Sequence, residues 1–174
     1  IGIETISGGA FTGFTLLGTS AANALNFAST TLVGVARING GSGNDTITGS
    51  VANDLIEGGA GRDNLTGGLG ADTFDFNQTA HSRGSSIDRI TDFTQGEDLI
   101  DLSTIDANTL LTGNDAFLFV GSAAFSGVAG ELRYDTTSIA GVTRILADTN
   151  GDRVLDMEIQ LTGTYSLGAT DFLL

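Results

Sequence analysis

Aspartate recurs at Asp45, Asp54, Asp63 and Asp72, one carboxylate every nine residues, and each closes a glycine-bearing turn that opens at Gly40, Gly49, Gly58 or Gly67. Carboxylates and turn carbonyls are hard oxygen donors, so the chemistry open to this pattern is chelation of a hard cation. Calcium suits it, because it takes six to eight oxygens at roughly 2.3 to 2.6 Å and accepts backbone carbonyls among them. The chain has 26 glycines and no proline, which points to many tight turns that need positive φ rather than to a stiff linker.

The elements that must position these oxygens follow from the same period. GGSGNDTIT, GSVANDLIE, GGAGRDNLT and GGLGADTFD run consecutively from Gly40 without insertion, and the eighth residue of each is apolar: Ile47, Ile56, Leu65 and Phe74. A disordered linker would not keep an apolar residue in that phase. Each unit reads as a glycine-rich turn followed by a three-residue strand whose central side chain points inward. Two units make one coil, and stacked coils make an all-β fold, a parallel β-roll in which no coil buries its apolar residue alone.

Turns two units apart stack on the same edge, so each ion is expected between two of them. Asp45 and Asp63, with the carbonyls of Gly40, Ser42, Gly59 and Gly61, form the first candidate set. Asp54 and Asp72, with the carbonyls of Gly49, Val51, Gly68 and Gly70, form the second. Ser50 and Ala52 stand where glycines are expected in the second set, so the first edge is the better site.

Three regions follow: degenerate coils over 1–39, the calcium-binding nonapeptides over 40–76, and a C-terminal β cap over 77–174. In the first, Gly18 to Asn26 keeps the pattern with Asn23 in place of aspartate and Leu25 inside, and Gly34 and Ile38 hold the phase of another unit. These coils lack the acidic ligand. After Phe76, the runs IDRITDF, DLIDLS, AFLFV, GELRYD, VTRILAD and VLDMEIQL predict short strands in a small antiparallel sheet or sandwich that covers the open end of the roll. Brief turns near Ser103 to Leu110 and Ser122 to Phe125 are the only helical candidates. The chain starts at Ile1 inside a β-like stretch, and it is expected to be the C-terminal piece of a longer protein with an upstream domain.

Acidic residues outnumber basic ones 21 to 7, a net charge of −14 that a cation would relieve. Nucleic acid and anionic membrane surfaces are excluded as partners, since seven scattered basic residues make no patch for them. No run of eighteen apolar residues predicts membrane insertion. Cysteine is absent, so neither disulfides nor thiolates staple the fold. His81 is the only histidine, which rules out a paired-histidine zinc protease site in this chain. Asp92, Asp98 and Asp101 fit edge capping better than catalysis, and no catalytic residue is assigned. A second acidic loop places Asp148, Asn150, Asp152 and Asp156 at alternating positions like the start of an EF-hand loop, yet the twelfth position is Ile159 rather than glutamate. It is read either as a further calcium loop or as a plain β-turn around Asn150 and Gly151.

From Gly40 onward the chain resembles the repeats-in-toxin family, and more closely the C-terminal region of serralysin-type secreted metalloproteases. The nonapeptides carry the resemblance, together with GADTFDF, IDRITDFTQGEDLIDLS, FSGVAGELRYD and the terminal ATDFLL. It implies an extracellular, calcium-binding module without catalysis of its own, secreted by the type I machinery of a Gram-negative bacterium through an uncleaved signal at Asp171 to Leu174. Family members carry Asp-Ser where His81 and Ser82 align, so a cap-side ligand is replaced here and Asp88 is its remaining partner. Repulsion between the aspartates of adjacent turns, and short strands that cannot offset their ordering entropy, predict a chain that folds when it meets calcium outside the cell. The resemblance leaves open an accessory role in a metalloprotease, lipase or polysaccharide epimerase, or a structural role in an adhesin or surface-layer protein.

Overall fold

The computed structural model describes residues 5–7, 9 and 12–174, and its regular elements are almost all short strands. Residues 1–4, 8, 10 and 11 of the region assigned to degenerate coils lie outside the described residues. Before the nonapeptides come β1 (Thr5–Ser7), β2 (Phe14–Leu17), β3 (Ala24–Asn26), β4 (Thr31–Val33) and β5 (Val35–Asn39). The nonapeptides supply β6 (Thr46–Thr48), β7 (Leu55–Glu57), β8 (Asn64–Thr66) and β9 (Thr73–Asp75). After them follow β10 (Asp88–Ile90), β11 (Leu99–Asp101), β12 (Leu118–Phe119), β13 (Glu131–Asp135), β14 (Val142–Asp148), β15 (Met157–Thr162) and β16 (Phe172–Leu173).

From β5 to β11 successive strands alternate between two sheets, as a coil with two strands per turn requires, while β1 and β4 pair in a separate two-stranded sheet. One sheet runs β3, β6, β8, β10 and continues into β15, β14, β13 and β12; the other runs β2, β5, β7, β9, β11 and β16. Within the nonapeptides the pairing is parallel, with Ile47 opposite Leu65 and Ile56 opposite Phe74. The central residues therefore stack in two inward columns, and Ile38, Ile47, Ile56, Leu65, Phe74, Ile90 and Ile100 are fully buried between the sheets. Each such side chain contributes about 1.5 to 3 kcal/mol by leaving water, but only when a neighbouring coil covers it.

The parallel ladder does not stop at Phe76. Ile90 pairs with Leu65 and Ile100 with Phe74, so β10 and β11, expected among the cap strands, are rungs of the roll. The chain loops out between rungs there, which breaks the nine-residue phase without breaking the stack. The antiparallel part is β13, β14 and β15, joined edge-on to the roll because β15 lies parallel to β10. Strand β16 closes the other sheet, parallel to β11.

The short helical turns fall at Thr79–Ser82 and Ala169–Asp171 rather than at the two segments expected to be helical. Between Ser103 and Leu110 the backbone N–H groups are captured by preceding side chains: Asp101 accepts from Ser103 N, Asp106 from Asn108 N, and Asn108 Oδ1 from Leu110 N. Such local bonds compete with helical ones and win here.

Candidate metal centre

The turns joining the two sheets stack on two edges. On the first edge lie the turns that close at Asn23, Asp45, Asp63 and Asp88; on the second lie those that close at Asp54, Asp72 and Asp98. One bond repeats along both. Each carboxylate Oδ1 accepts the backbone N–H of its counterpart in the preceding coil: Asp45 from Asn23 at 2.7 Å, Asp63 from Asp45 at 2.7 Å and Asp88 from Asp63 at 2.7 Å. On the second edge Asp72 accepts from Asp54 at 2.8 Å and Asp98 from Asp72 at 2.9 Å. The paired sets Asp45 with Asp63 and Asp54 with Asp72 are thus brought into contact, one coil apart.

Other donors in the turns are used as well. Asn44 Oδ1 accepts from Arg62 N and Asn53 Oδ1 from Ala71 N, each at 3.0 Å. Gly41 O accepts from Ala60 N, and Ala60 O from Gly43 N. What remains is oxygen. Among the described residues, the carbonyls of Gly40, Ser42, Gly59 and Gly61, and of Gly49, Val51, Gly68 and Gly70, accept no hydrogen bond. The Oδ2 atoms of Asp45, Asp63, Asp72 and Asp88 are buried and have no partner. A buried acceptor left bare costs about 1 to 3 kcal/mol, more when charged, so the three in register on the first edge, and Asp72 on the second, call for positive partners. Residues and ion fit on this ground: hard oxygens, no thiolate, and donors already spent.

Among the described residues no three His, Asp or Glu side chains gather into a metal-holding group. Any ion here therefore depends on main-chain carbonyls, with carboxylates as the minority. Glycine makes that possible. Gly59 and Gly61 sit at φ +95° and +134°, and a Cβ at Gly61 would collide with the Gly43 carbonyl in the neighbouring turn.

Electrostatics agree with the hydrogen bonding. Burial raises the pKa of Asp63 and Asp72 to about 6, against the N–H bonds from Asp45 and Asp54 that lower it. Burial takes Asp88 further, to about 8. Asp45 and Asp98 are raised by the same cause. These carboxyls hold protons more tightly than solvated ones because burial penalises the charged form.

The two edges differ. At the turn with Ser50 and Ala52, Ser50 N donates to Asp54 Oδ2 at 2.5 Å, and neither residue adopts positive φ. Asp54 is only half-buried, and its second oxygen is engaged. Asp98 Oδ2 is likewise engaged, by Thr94 N at 2.8 Å. On the first edge Asp88 is held differently: its N–H donates to Ser82 Oγ at 2.9 Å, and Ser82 in turn donates to the Glu158 carbonyl. His81 lies beside it in the short helical turn and its backbone N–H donates to Gln78 O. The sequence reading missed Asp98 as a member of the second edge and Asp92, whose carboxylate accepts from Gly67 N and Gly68 N. The alignment of D–F–T–Q–G–E–D with a nonapeptide turn, once an insertion is allowed, is the signal that could have found them.

The acidic loop between β14 and β15 is built the other way round. Asp148 accepts from Asn150 N, Gly151 N and Arg153 N; Asn150 Oδ1 accepts from Asp152 N; Asp152 accepts from Val154 N. Asp156 accepts from Thr149 N and Thr149 Oγ1 and pairs with Arg83 at 3.3 Å. Its carboxylates close the turn on themselves.

The family profile described as Peptidase M10 serralysin C terminal matches residues 7–174. Two solved structures share the fold. The AlgE6R3 subunit from the Azotobacter vinelandii mannuronan C5-epimerase is 31% identical, with 94% of this chain and 83% of that chain covered at a TM-score of 0.62. The AlgE6R2 subunit of that enzyme is 24% identical, with 95% and 93% covered at a TM-score of 0.59. A search of curated proteins gives no match. With its stacked coils matched almost end to end by that profile, the chain belongs to the peptidase M10 serralysin C-terminal family.

Proposed function

We propose that this chain is a non-catalytic calcium-binding module of a larger extracellular protein, folded by calcium outside the cell and carrying the type I secretion signal of its parent. The observation that carries the reading is the set of buried, donor-free Oδ2 atoms at Asp45, Asp63, Asp72 and Asp88. Bound calcium supplies the positive charge that these oxygens lack. Asp45 and Asp63, with the carbonyls of Gly40, Ser42, Gly59 and Gly61, are the residues that hold it on the first edge; Asp63 and Asp88 offer a further station there. Asp54 and Asp72, with the carbonyls of Gly49, Val51, Gly68 and Gly70, are the weaker set. Asp148, Asn150, Asp152 and Asp156 are left out, because each already accepts from the loop's own donors, and Asp156 pairs with Arg83 as well.

Without a cation the stacked carboxylates repel and the short strands cannot offset their ordering entropy, so the chain is expected to be largely unfolded in low calcium. Membership of the serralysin C-terminal family supports extracellular release and the signal at Asp171 to Leu174. No helix among the described residues is long and apolar enough to cross a membrane. The resemblance to subunits of an epimerase supports an accessory role beside an enzyme over a role in an adhesin or surface layer.

The test is a calcium titration from excess chelator, followed by circular dichroism and calorimetry. Gain of β structure with heat of binding is expected, at a midpoint of about 10⁻⁴ to 10⁻³ M, the range of extracellular modules. Full β structure in excess chelator at pH 7.5 (about one unit or more above the roughly 6 of two of these carboxyls), unchanged by calcium, would overturn the reading.

A further inference from the structure

The six-stranded sheet carries a second column of charge on its outer face, away from the metal edges. Because Ile38, Ile56, Phe74 and Ile100 point inward, the residues that follow them point outward: Asn39, Glu57, Asp75 and Asp101 lie on successive strands β5, β7, β9 and β11. Adjacent strands are about 4.8 Å apart, so three carboxylates stand one above another, an arrangement that repels in any calcium concentration. Glu57 and Asp75 are moreover buried, at 8% and 3% exposure.

One side chain answers both. Arg37, on β5, places Nη1 at 2.8 Å from Glu57 Oε2 and Nη2 at 2.6 Å from Asp75 Oδ2, so one guanidinium ties three stacked strands. Among the described residues it is the only cation paired with this column. The network continues to the first metal edge. Asn39 Nδ2 donates to Glu57 Oε2 at 2.6 Å, and Asn39 Oδ1 accepts from Gly41 N at 2.7 Å, inside the turn that closes at Asp45. In the other direction Asn77 Nδ2 donates to Asp75, and Asn77 Oδ1 accepts from Thr104 Oγ1, beyond β11.

We propose that Arg37 is a positioning residue for the first calcium edge: a metal-independent clasp that holds β5, β7 and β9 in register and so sets the calcium concentration at which the roll closes. The proposal rests on the calcium reading above, and it concerns a face that contributes no ligand. A fork reaching two carboxylates is a task for arginine, since lysine presents a single point charge.

The experiment compares the full chain with Arg37→Gln, Arg37→Lys and the triple variant Arg37→Gln/Glu57→Gln/Asp75→Asn. If the wild type folds on adding calcium, Arg37→Gln is expected to raise the midpoint about 3- to 10-fold, as loss of a charge-assisted fork implies. Arg37→Lys should recover less than half of that shift, and the triple variant, which removes the repulsion with the clasp, should recover most of it. If the wild type is already folded in chelator, the calcium reading fails while the clasp is still judged: hydrogen exchange in β5, β7 and β9 should then be faster in Arg37→Gln than in wild type, with β13 to β15 unchanged. An unshifted midpoint together with unchanged exchange, or a triple variant no better than Arg37→Gln, overturns the proposal.

Discussion

The two edges of the roll are made from the same nonapeptide and are not equivalent. On the first, Asp45, Asp63 and Asp88 each keep a buried Oδ2 without a donor; on the second, only Asp72 does, because Ser50 N and Thr94 N occupy the second oxygens of Asp54 and Asp98. At Asp54 the difference traces to two residues. Where Gly59 and Gly61 turn through positive φ, Ser50 and Ala52 do not, and the altered backbone brings an N–H into the carboxylate. A turn that satisfies its own aspartate has less need of an ion. The general lesson is that a ligand's type and spacing are insufficient; its oxygen must also be left bare by its neighbours.

The largest effect that would break this comparison is expected from single carboxylate neutralisations. Asp63→Asn should weaken calcium binding by at least the roughly 10- to 100-fold that removing even an outer partner costs a metal site, whereas Asp54→Asn should cost markedly less. Isothermal titration of both variants checks it, and equal losses would remove the asymmetry between the edges.

A smaller effect concerns pH in chelator. The folded pKa values of Asp63 and Asp72 near 6 and of Asp88 near 8 lie above the roughly 3.9 of an unfolded aspartate. Raised carboxyls give stability that is complete below the unfolded value and lost as pH rises through the folded one. The metal-free chain should thus melt highest near or below pH 4 (close to the roughly 3.9 of a free aspartate) and lose stability as pH rises through the folded values, the loss that leaves it largely unfolded without calcium at neutral pH. Calcium should flatten that slope. Asp88→Asn should remove the loss in its upper part, and Asp63→Asn and Asp72→Asn should each remove a share of the part near 6; a melting temperature independent of pH in chelator would contradict the buried, unpaired state of these groups.

The smallest effect sharpens the comparison by repairing the second edge. Ser50→Gly with Ala52→Gly should raise the affinity of that edge several-fold once calcium is present, while costing the metal-free chain about 0.5 to 1 kcal/mol per glycine. An unchanged affinity would mean that the serine and alanine are not what distinguishes the edges.

Much of the roll was legible because stacking demands a strict period. Ile47, Ile56, Leu65 and Phe74 recur at a fixed interval and fill the two buried columns, and the aspartates two units apart do meet. The period failed where the chain loops out. Ile90 lies opposite Leu65 and Ile100 opposite Phe74, but at longer separations than the nonapeptides use, so β10 and β11 looked like cap strands and Asp98 like an edge-capping charge. Nor does any pattern disclose who donates to whom. The acidic loop at Asp148 looked as well equipped for a cation as the turns, and only its internal N–H bonds distinguish it. Arg37 stood in a segment read as degenerate, and its reach over two further strands follows from the register rather than from local sequence.

The bond that links each aspartate to its neighbour gives the edge a direction. Every Oδ1 faces the N–H of the coil before it, so Asp63 closes the link to Asp45 while its own N–H is closed by Asp88. The loss of one carboxylate is therefore felt in the coil before it. Loss of the Asp63 carboxylate leaves the amide of Asp45 unmet and spares that of Asp63, and loss of the Asp88 carboxylate leaves the amide of Asp63 unmet, like a ladder whose rungs are each hung from the next.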